Sequence, residues 1–291
     1  MITNSSAGPC TKSLQKLTSR WESPDKEHPE SIPEKEFVIW FTARTGSTWL
    51  ASLLFSAGFP KPAEYFHPNK ILRRAAYLGI NNWGDYVNSI KQKRTRSGVF
   101  GHEMTFQFWD MLKNEGDALL DLDFSGPSVV LFRENIVLQA ISIYLAVTTG
   151  KWHRYEGTKR SESMALAAYD EKKIRSYIEY IHNLESGLRE SRDVLLVDTK
   201  YLSYEELTRH SSATVIAAFE KHIGFMADRA TTAHSFHTRM GSGLNKKMYE
   251  RFLGANHQWV TAIQKQRSWL FDAMDQTPLI NTGIAQLPDC R

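Results

Sequence analysis

Residues 36–58 read EFVIWFTARTGSTWLASLLFSAG, and the fold turns on how this stretch is parsed. Its first part, EFVIWFTA, is an unbroken apolar run, as expected of a strand buried on both faces. The turn ARTGS follows at once. After it, TWLASLLFSA mixes small and large apolar residues in the manner of a buried helix, with Gly58 placed to end it. A strand that passes through a short glycine-bearing turn into a buried helix is the opening unit of an open α/β sheet.

That turn, Ala43-Arg44-Thr45-Gly46-Ser47-Thr48-Trp49, lies where the carboxyl end of a strand meets a helix N-terminus, the ligand side of such sheets. Free N–H groups and the positive end of the helix dipole favour an anion there. Gly46 lets the backbone turn tightly, Ser47 and Thr48 add hydroxyl donors, and Arg44 adds a permanent charge with forked geometry. The turn is P-loop-like but lacks the G-x-x-x-x-G-K-[ST] spacing and its lysine, which counts against ATP or GTP hydrolysis. On local pattern alone, an ordinary strand-to-helix turn with a Ser/Thr cap explains the same residues.

Working outward, residues 1–35 carry Pro9, Pro24, Pro29 and Pro33 with many charges, and read as a polar N-terminal tail with one short helix near Lys12 to Trp21. Residues 36–291 read as a single domain. After the proline-punctuated loop Gly58–Pro68, helical patterns run from Lys70 to Leu78 and from Tyr86 to Lys93. GVFGHEM (Gly98–Met104) is strand-like and leads into a helix, FQFWDMLKN. Ser128–Phe132 (SVVLF) is the clearest second strand, with Asn135 positioned to cap the helix that follows. A helix over Glu171–Arg189, a strand over Asp193–Asp198 (DVLLVD) and a helix over Ala213–His222, stopping at Gly224, complete the pattern. Alternation of this kind predicts an α/β fold with a central parallel sheet flanked by helices.

Composition narrows the function classes. The chain has 291 residues, 36 Lys+Arg against 32 Asp+Glu, and a net charge of +4, too weak an excess to suggest a nucleic-acid partner. It fits instead an anion held locally. Cys10 and Cys290 cannot build a disulfide framework or a cysteine zinc site, so a reducing compartment is expected. With no signal-peptide-like or membrane-spanning run, a cytoplasmic protein without stable membrane insertion is expected.

Two blocks carry a family resemblance. FTARTGSTWLASLLFSAGFPKPAEYFHP resembles the phosphosulfate loop and following segment of the trehalose sulfotransferase family, which shows R-[ST]-G-S-T-x-L and then P-x-E-[YF]-F. LFRENIVLQAISIYLAVTTGKW is similar to that family's R-x-x-x-x-x-Q-A-[IV]-S-x-x-x-A-x-x-T-x-x-W. The resemblance runs from about Glu36 to Trp259. It implies a sulfotransferase using 3′-phosphoadenosine 5′-phosphosulfate (PAPS) and acting on a hydroxyl of a carbohydrate or glycolipid, as a homodimer. Arg44, Thr45, Gly46, Ser47, Thr48 and Trp49 would line the 5′-phosphosulfate, and Arg133 and Ser142 would meet the 3′-phosphate. No metal is required, since Arg44 and the loop N–H groups would stabilise the departing phosphate. Without the family, Arg133 reads as a salt bridge to Glu134 or a helix neighbour, and Ser142 as back-bonded to its own turn.

The resemblance also points to Glu64 as the general base, in surroundings that would raise its pKa; a helix cap or a solvent-facing carboxylate is the plainer reading. His67 is the second candidate base. Glu103 and Thr105–Phe106 stand where the family often has a lysine and an aromatic residue, and Glu103 would not balance sulfate charge; His102 is a substitute to consider. His234 and His237 read as a surface pair, and Lys246, Lys247 and Arg251 as a solvated basic stripe that sulfotransferases often use near the adenosine phosphate. Trp152 fits either the acceptor site or the core. The competing functions are a non-catalytic nucleotide-binding module holding the desulfated product PAP, and a nucleotide-dependent kinase, which would need a loop lysine and magnesium-holding carboxylates.

Overall fold

A computed structural model of the chain describes residues 31–114, 122–152, 168–228, 233–235 and 243–281. The expected helix near Lys12 to Trp21 lies outside these residues. Four parallel strands form the sheet: β1 (Lys35–Phe41), β2 (Val99–Met104), β3 (Pro127–Phe132) and β4 (Asp198–Ser203), in the order β2-β1-β3-β4. From β1 the chain crosses to β2 on one side and then returns to β3 on the other. The switch point therefore lies at the carboxyl ends of β1 and β3, where an open parallel sheet leaves a crevice.

The helices between β1 and β2 are α1 (Ser47–Ala57), α2 (Pro68–Tyr77) and α3 (Trp83–Arg94). Between β2 and β3 lies α4 (Phe106–Lys113), and after β3 come α5 (Ile136–Thr149), α6 (Glu171–Glu190) and the short α7 (Arg192–Leu195). β4 is followed by α8 (Tyr204–Arg209), α9 (Ser212–Ile223), α10 (Gly243–Gln266) and α11 (Ser268–Gln276). Local chemistry sets most of these ends. Gly58 stops α1 and Gly224 stops α9, both with left-handed backbone, and Asn135 caps α5 by accepting from the Leu138 N–H.

Alternation along the strands divides the core. Val38 and Trp40 face one side of β1 with Phe100, Met104, Val130 and Phe132 from its neighbours. Phe37, Ile39 and Phe41 face the other with Val129, Leu131 and Leu202, against α1 and α9. A third cluster, including Ile141, Ile178 and Phe252, joins α5, α6 and α10. This two-sided burial accounts for the unbroken apolar run in β1.

One expected strand is displaced. Asp193–Asp198 was expected as the sheet segment, but Arg192–Leu195 forms a helical turn and β4 begins at Asp198. Only Leu195 of that run is buried to the core, whereas Val194 and Val197 are 68% and 69% exposed. The apolar run alone did not distinguish a helical turn from a strand. Pairing with β3, from Pro127↔Asp198 to Phe132↔Ser203, selected the less hydrophobic DTKYLS. Its outer edge is covered: the Tyr201 N–H donates to the Thr277 carbonyl (3.0 Å) and the Leu279 N–H to the Tyr201 carbonyl (2.9 Å).

A buried ion pair holds the turn after β3. Arg267, 0% exposed, reaches Glu185 through two hydrogen bonds of 2.6 and 2.9 Å. The same guanidinium donates to the carbonyls of Arg133 (2.7 Å) and Glu134 (3.1 Å), fixing the β3–α5 corner. Replacing Arg267 by Met would leave the Glu185 carboxylate buried without this partner, so unfolding stability should fall by about 3–5 kcal/mol. Urea denaturation measures this, and Arg267→Met/Glu185→Leu should recover part of the loss. A fall below about 1 kcal/mol for the single variant would contradict the assignment.

Candidate active site

The β1–α1 turn is built around two left-handed residues, Arg44 (φ 70°) and Gly46 (φ 89°). A Cβ on Gly46 would stand 3.0 Å from Tyr204 Cδ2 and 3.4 Å from Leu207 Cδ2, so conformation and space both require glycine. Thr45 is fully buried, and its hydroxyl donates to the Thr42 carbonyl (2.9 Å), bracing the turn from within. From α5, Gln139 donates to the Thr42 hydroxyl and to the Ala43 carbonyl, each at 2.8 Å. Ser47, Thr48 and Trp49 form the first turn of α1, with Trp49 packed against the core beneath it.

Arg44 and Arg133 converge across this turn. Arg44 donates through Nε to Ser142 Oγ (3.0 Å) on α5 and to the Trp152 carbonyl. Arg133 extends from the end of β3 over the Tyr204 ring, 4.6 Å from its centroid, with Nε 3.8 Å from Glu205 Oε1. Glu205 also accepts from the Glu134 N–H (2.9 Å), which ties α8 to the same corner. Burial, and then the nearby Arg133 charge, hold the Arg44 pKa below its usual value. Two cations are thus brought together beside a helix N-terminus, an arrangement that an anion would relieve. A shallow crevice runs from Arg44 and Ser142 along α5 to Lys151 and Asn245.

The acidic side of the site comes from two other segments. Glu64 lies in the loop before α2, 3.3 Å from Lys70 Nζ, with its carboxylate 23% exposed. The loop is held by Tyr65 and Phe66, both fully buried, and by hydrogen bonds from Tyr65 Oη to the Lys61 carbonyl (2.8 Å) and from Tyr86 Oη to the Tyr65 carbonyl (2.7 Å). The Glu103 N–H donates to the Ala63 carbonyl (3.0 Å), joining that loop to the end of β2. Glu103 is 4% exposed and faces the Ser47 side chain, with its Oε1 buried and without a hydrogen-bond partner. Burial, followed by the Glu64 charge, pushes its pKa up to about 8. The carboxyl held neutral near pH 7 is therefore Glu103.

Residues 36–253 match the family model described as Stf0 sulphotransferase. The chain belongs to that family. A solved sulfotransferase from Alicyclobacillus acidocaldarius is 16% identical, with 80% of this chain and 96% of that chain covered and a TM-score of 0.39. No curated protein matches the chain.

In this sulfotransferase, Arg44, Arg133, Ser142 and the Thr45–Trp49 segment lie around one turn. Thr45 faces inward, 0% exposed, with its hydroxyl taken up by the Thr42 carbonyl. Arg133 does pair with a helix neighbour, Glu205 of α8. His67 caps α2, accepting at Nδ1 from the Asn69 N–H (3.2 Å), and burial lowers its pKa against the pull of Glu64. His102 cannot stand in for a site cation. It points to the opposite side of β2 from Glu103, is fully buried among Phe66, Phe100 and Phe124, and has its pKa lowered by burial to about 3.

Lys246, Lys247 and Arg251 are exposed on α10, Lys246 facing Glu250 and Arg251 lying over Tyr169. Trp152 is 41% exposed and contributes its carbonyl. His237 lies outside the described residues. Among those described, no group of three or more His, Cys, Asp or Glu is arranged to hold a metal, and no helix is long and apolar enough to cross a membrane. Sequence reasoning assigned no role to Gln139, Tyr204 or Glu205. Gln139 is written in the QAIS block, a polar residue in an otherwise apolar helix, whereas the other two come from α8, remote in sequence.

Substituting Gly46 by Ala should cost about 1–2 kcal/mol of folding stability, because a left-handed backbone and the Tyr204 ring both oppose the methyl group. Chemical denaturation measures the loss, and an unchanged midpoint would contradict it. Glu103 should make stability fall as pH rises. Between about pH 4.5 and 8 the folded chain keeps a proton that the unfolded chain releases, so the penalty grows through that window and is complete above it. Glu103→Gln should therefore stabilise the protein at pH 8.5, relative to its effect at pH 4, by about 2–5 kcal/mol. Denaturation of both proteins at the two pH values tests the sign.

Proposed function

We propose that this sulfotransferase moves the sulfuryl group from PAPS to a hydroxyl of a carbohydrate or glycolipid, with Glu64 as general base. The observation that carries the reading is the convergence of Arg44 and Arg133 beside the N-terminus of α1. PAPS offers anionic groups at two places, and two arginines on separate strand ends suit that separation. The turn Arg44–Trp49 lines the 5′-phosphosulfate in this reading, with Thr45 bracing it from within; Arg133 and Ser142 serve the 3′-phosphate. Ser142 already accepts from Arg44, so it also sets the direction of that guanidinium.

In the transfer, the acceptor oxygen forms a bond to sulfur while the bond from sulfur to the 5′-phosphate oxygen breaks. The acceptor proton passes to the Glu64 carboxylate, and the new charge on the departing phosphate falls to Arg44 and the α1 N–H groups. Catalysis of this kind rests on alignment and electrostatics. Lys70, 3.3 Å from Glu64, and the clamped Tyr65–Phe66 backbone keep the base on a rigid loop. The carbohydrate or glycolipid acceptor follows the family resemblance.

Transfer of labelled sulfate from PAPS to a panel of sugars and glycolipids tests the whole reading. Glu64→Gln should lower kcat by about 10²–10⁴-fold while PAP affinity changes little. Full activity in that variant would remove Glu64 as base. PAP binding with no transfer to any acceptor would favour a non-catalytic module, and no PAP binding would overturn the donor assignment.

A further inference from the structure

Glu103 has no part in the transfer just described, yet its placement bears directly on the anion site. In the β1–β2 register it stands opposite Ile39, one residue before the end of β2. Strand alternation turns it toward Ser47, the first residue of α1. The carboxyl is 4% exposed, and its Oε1 is buried without a hydrogen-bond partner. A charged carboxylate in that position would lack the hydrogen bonds that normally support buried charge.

We propose that Glu103 joins the donor site as a neutral carboxylic acid, donating its O–H to the bound anion, so that anion binding in mildly alkaline solution takes up one proton. The inference rests on reading the β1–α1 turn as the phosphosulfate site. The groups that face Glu103 are Ser47 from α1, Lys61 and Glu64 from the loop before α2, and Lys70 from α2. Ile39 of β1 adds no charge. Lys70, Ser47 and Lys61 favour the carboxylate, but burial, with the Glu64 charge acting in the same direction, outweighs all three. A bound anion adds a further negative charge, which raises the affinity of Glu103 for its proton still more. The neutral acid, in contrast, supplies a donor where the carboxylate supplies only repulsion.

Coupling has a calculable form. If the protonated state alone binds, apparent affinity is nearly constant below the Glu103 pKa of about 8 and falls about tenfold per pH unit well above it. Phosphate monoesters, with a second pKa of about 6, are already ionised from pH 7 upward, and lysines lose their protons near 10; the terminal amine and the Cys10 and Cys290 thiols titrate between pH 7 and 9, so comparison with Glu103→Gln assigns the change to Glu103.

Isothermal titration of the full chain with PAP at pH 7, 8 and 9, in two buffers of different ionisation enthalpy, reads Kd and proton uptake together. Wild type should show a Kd about tenfold weaker at pH 9 than at pH 7, with uptake approaching one proton at pH 9. In Glu103→Gln, Kd should vary less than about threefold over the range and the uptake should vanish. Glu64→Gln should keep both effects, with the fall in affinity moved to lower pH because the Glu64 charge no longer raises Glu103. A flat wild-type profile without uptake overturns the inference while leaving the donor site intact, as does loss of the uptake in Glu64→Gln or its persistence in Glu103→Gln. Absence of PAP binding at every pH overturns the donor site and this inference with it. Should Glu103→Gln not fold, Cys10→Ser/Cys290→Ser replaces it: uptake that persists without the two thiols supports the inference, and uptake lost with them overturns it.

Discussion

Two guanidinium groups, Arg44 at the end of β1 and Arg133 at the end of β3, are held close enough for the second to depress the pKa of the first. Like charges in a partly buried crevice do not assemble on their own account, and much of the surrounding structure keeps them there. Ser142 and the Trp152 carbonyl hold Arg44 from α5 and the segment after it. Tyr204 and Glu205 hold Arg133 from α8, while Arg267 and Glu185 fix the backbone from which Arg133 springs. Gly46 lets the Tyr204 ring approach the turn, so one aromatic side chain supports both halves. Energy spent in bringing the cations together is recovered when an anion enters, which is how a preorganised electrostatic site operates.

The acidic half of the site follows the same logic with opposite sign. Glu64 is partly open to water and paired with Lys70. Glu103, sealed between the end of β2 and Ser47, is suited to keep its proton. Environment separates two chemically identical groups into different roles.

Legibility in the sequence varied with the kind of signal. The β1–turn–α1 unit was readable because an apolar strand, a glycine turn and a capped helix state their geometry locally. Helix ends at Gly58, Gly224 and Asn135 were readable for the same reason. DVLLVD misled because apolar content does not specify period, and the choice between it and DTKYLS was made by hydrogen bonds to β3 and to residues 277–279. His102 and Glu103 are adjacent in the chain, and without the strand register nothing in the sequence says which one meets the site.

What the sequence by itself determined is the set of local pieces: the α/β alternation, the glycine-bearing turn with Arg44 and Gly46, and the blocks containing Glu64, Arg133 and Ser142. Each depends on residues within a few positions of one another, where backbone preference and side-chain chemistry act directly. What only the tertiary structure decided is which pieces face each other. Arg133 meets Tyr204 and Glu205, Arg44 meets Ser142, Glu103 meets Ser47, and Arg267 crosses to the β3–α5 corner. Those contacts join residues tens to more than a hundred positions apart, and they also set burial, which is the quantity that turns Glu103 into a neutral acid. Charge, hydrogen-bond capacity and residue type are properties of the chain; desolvation and distance belong to the fold.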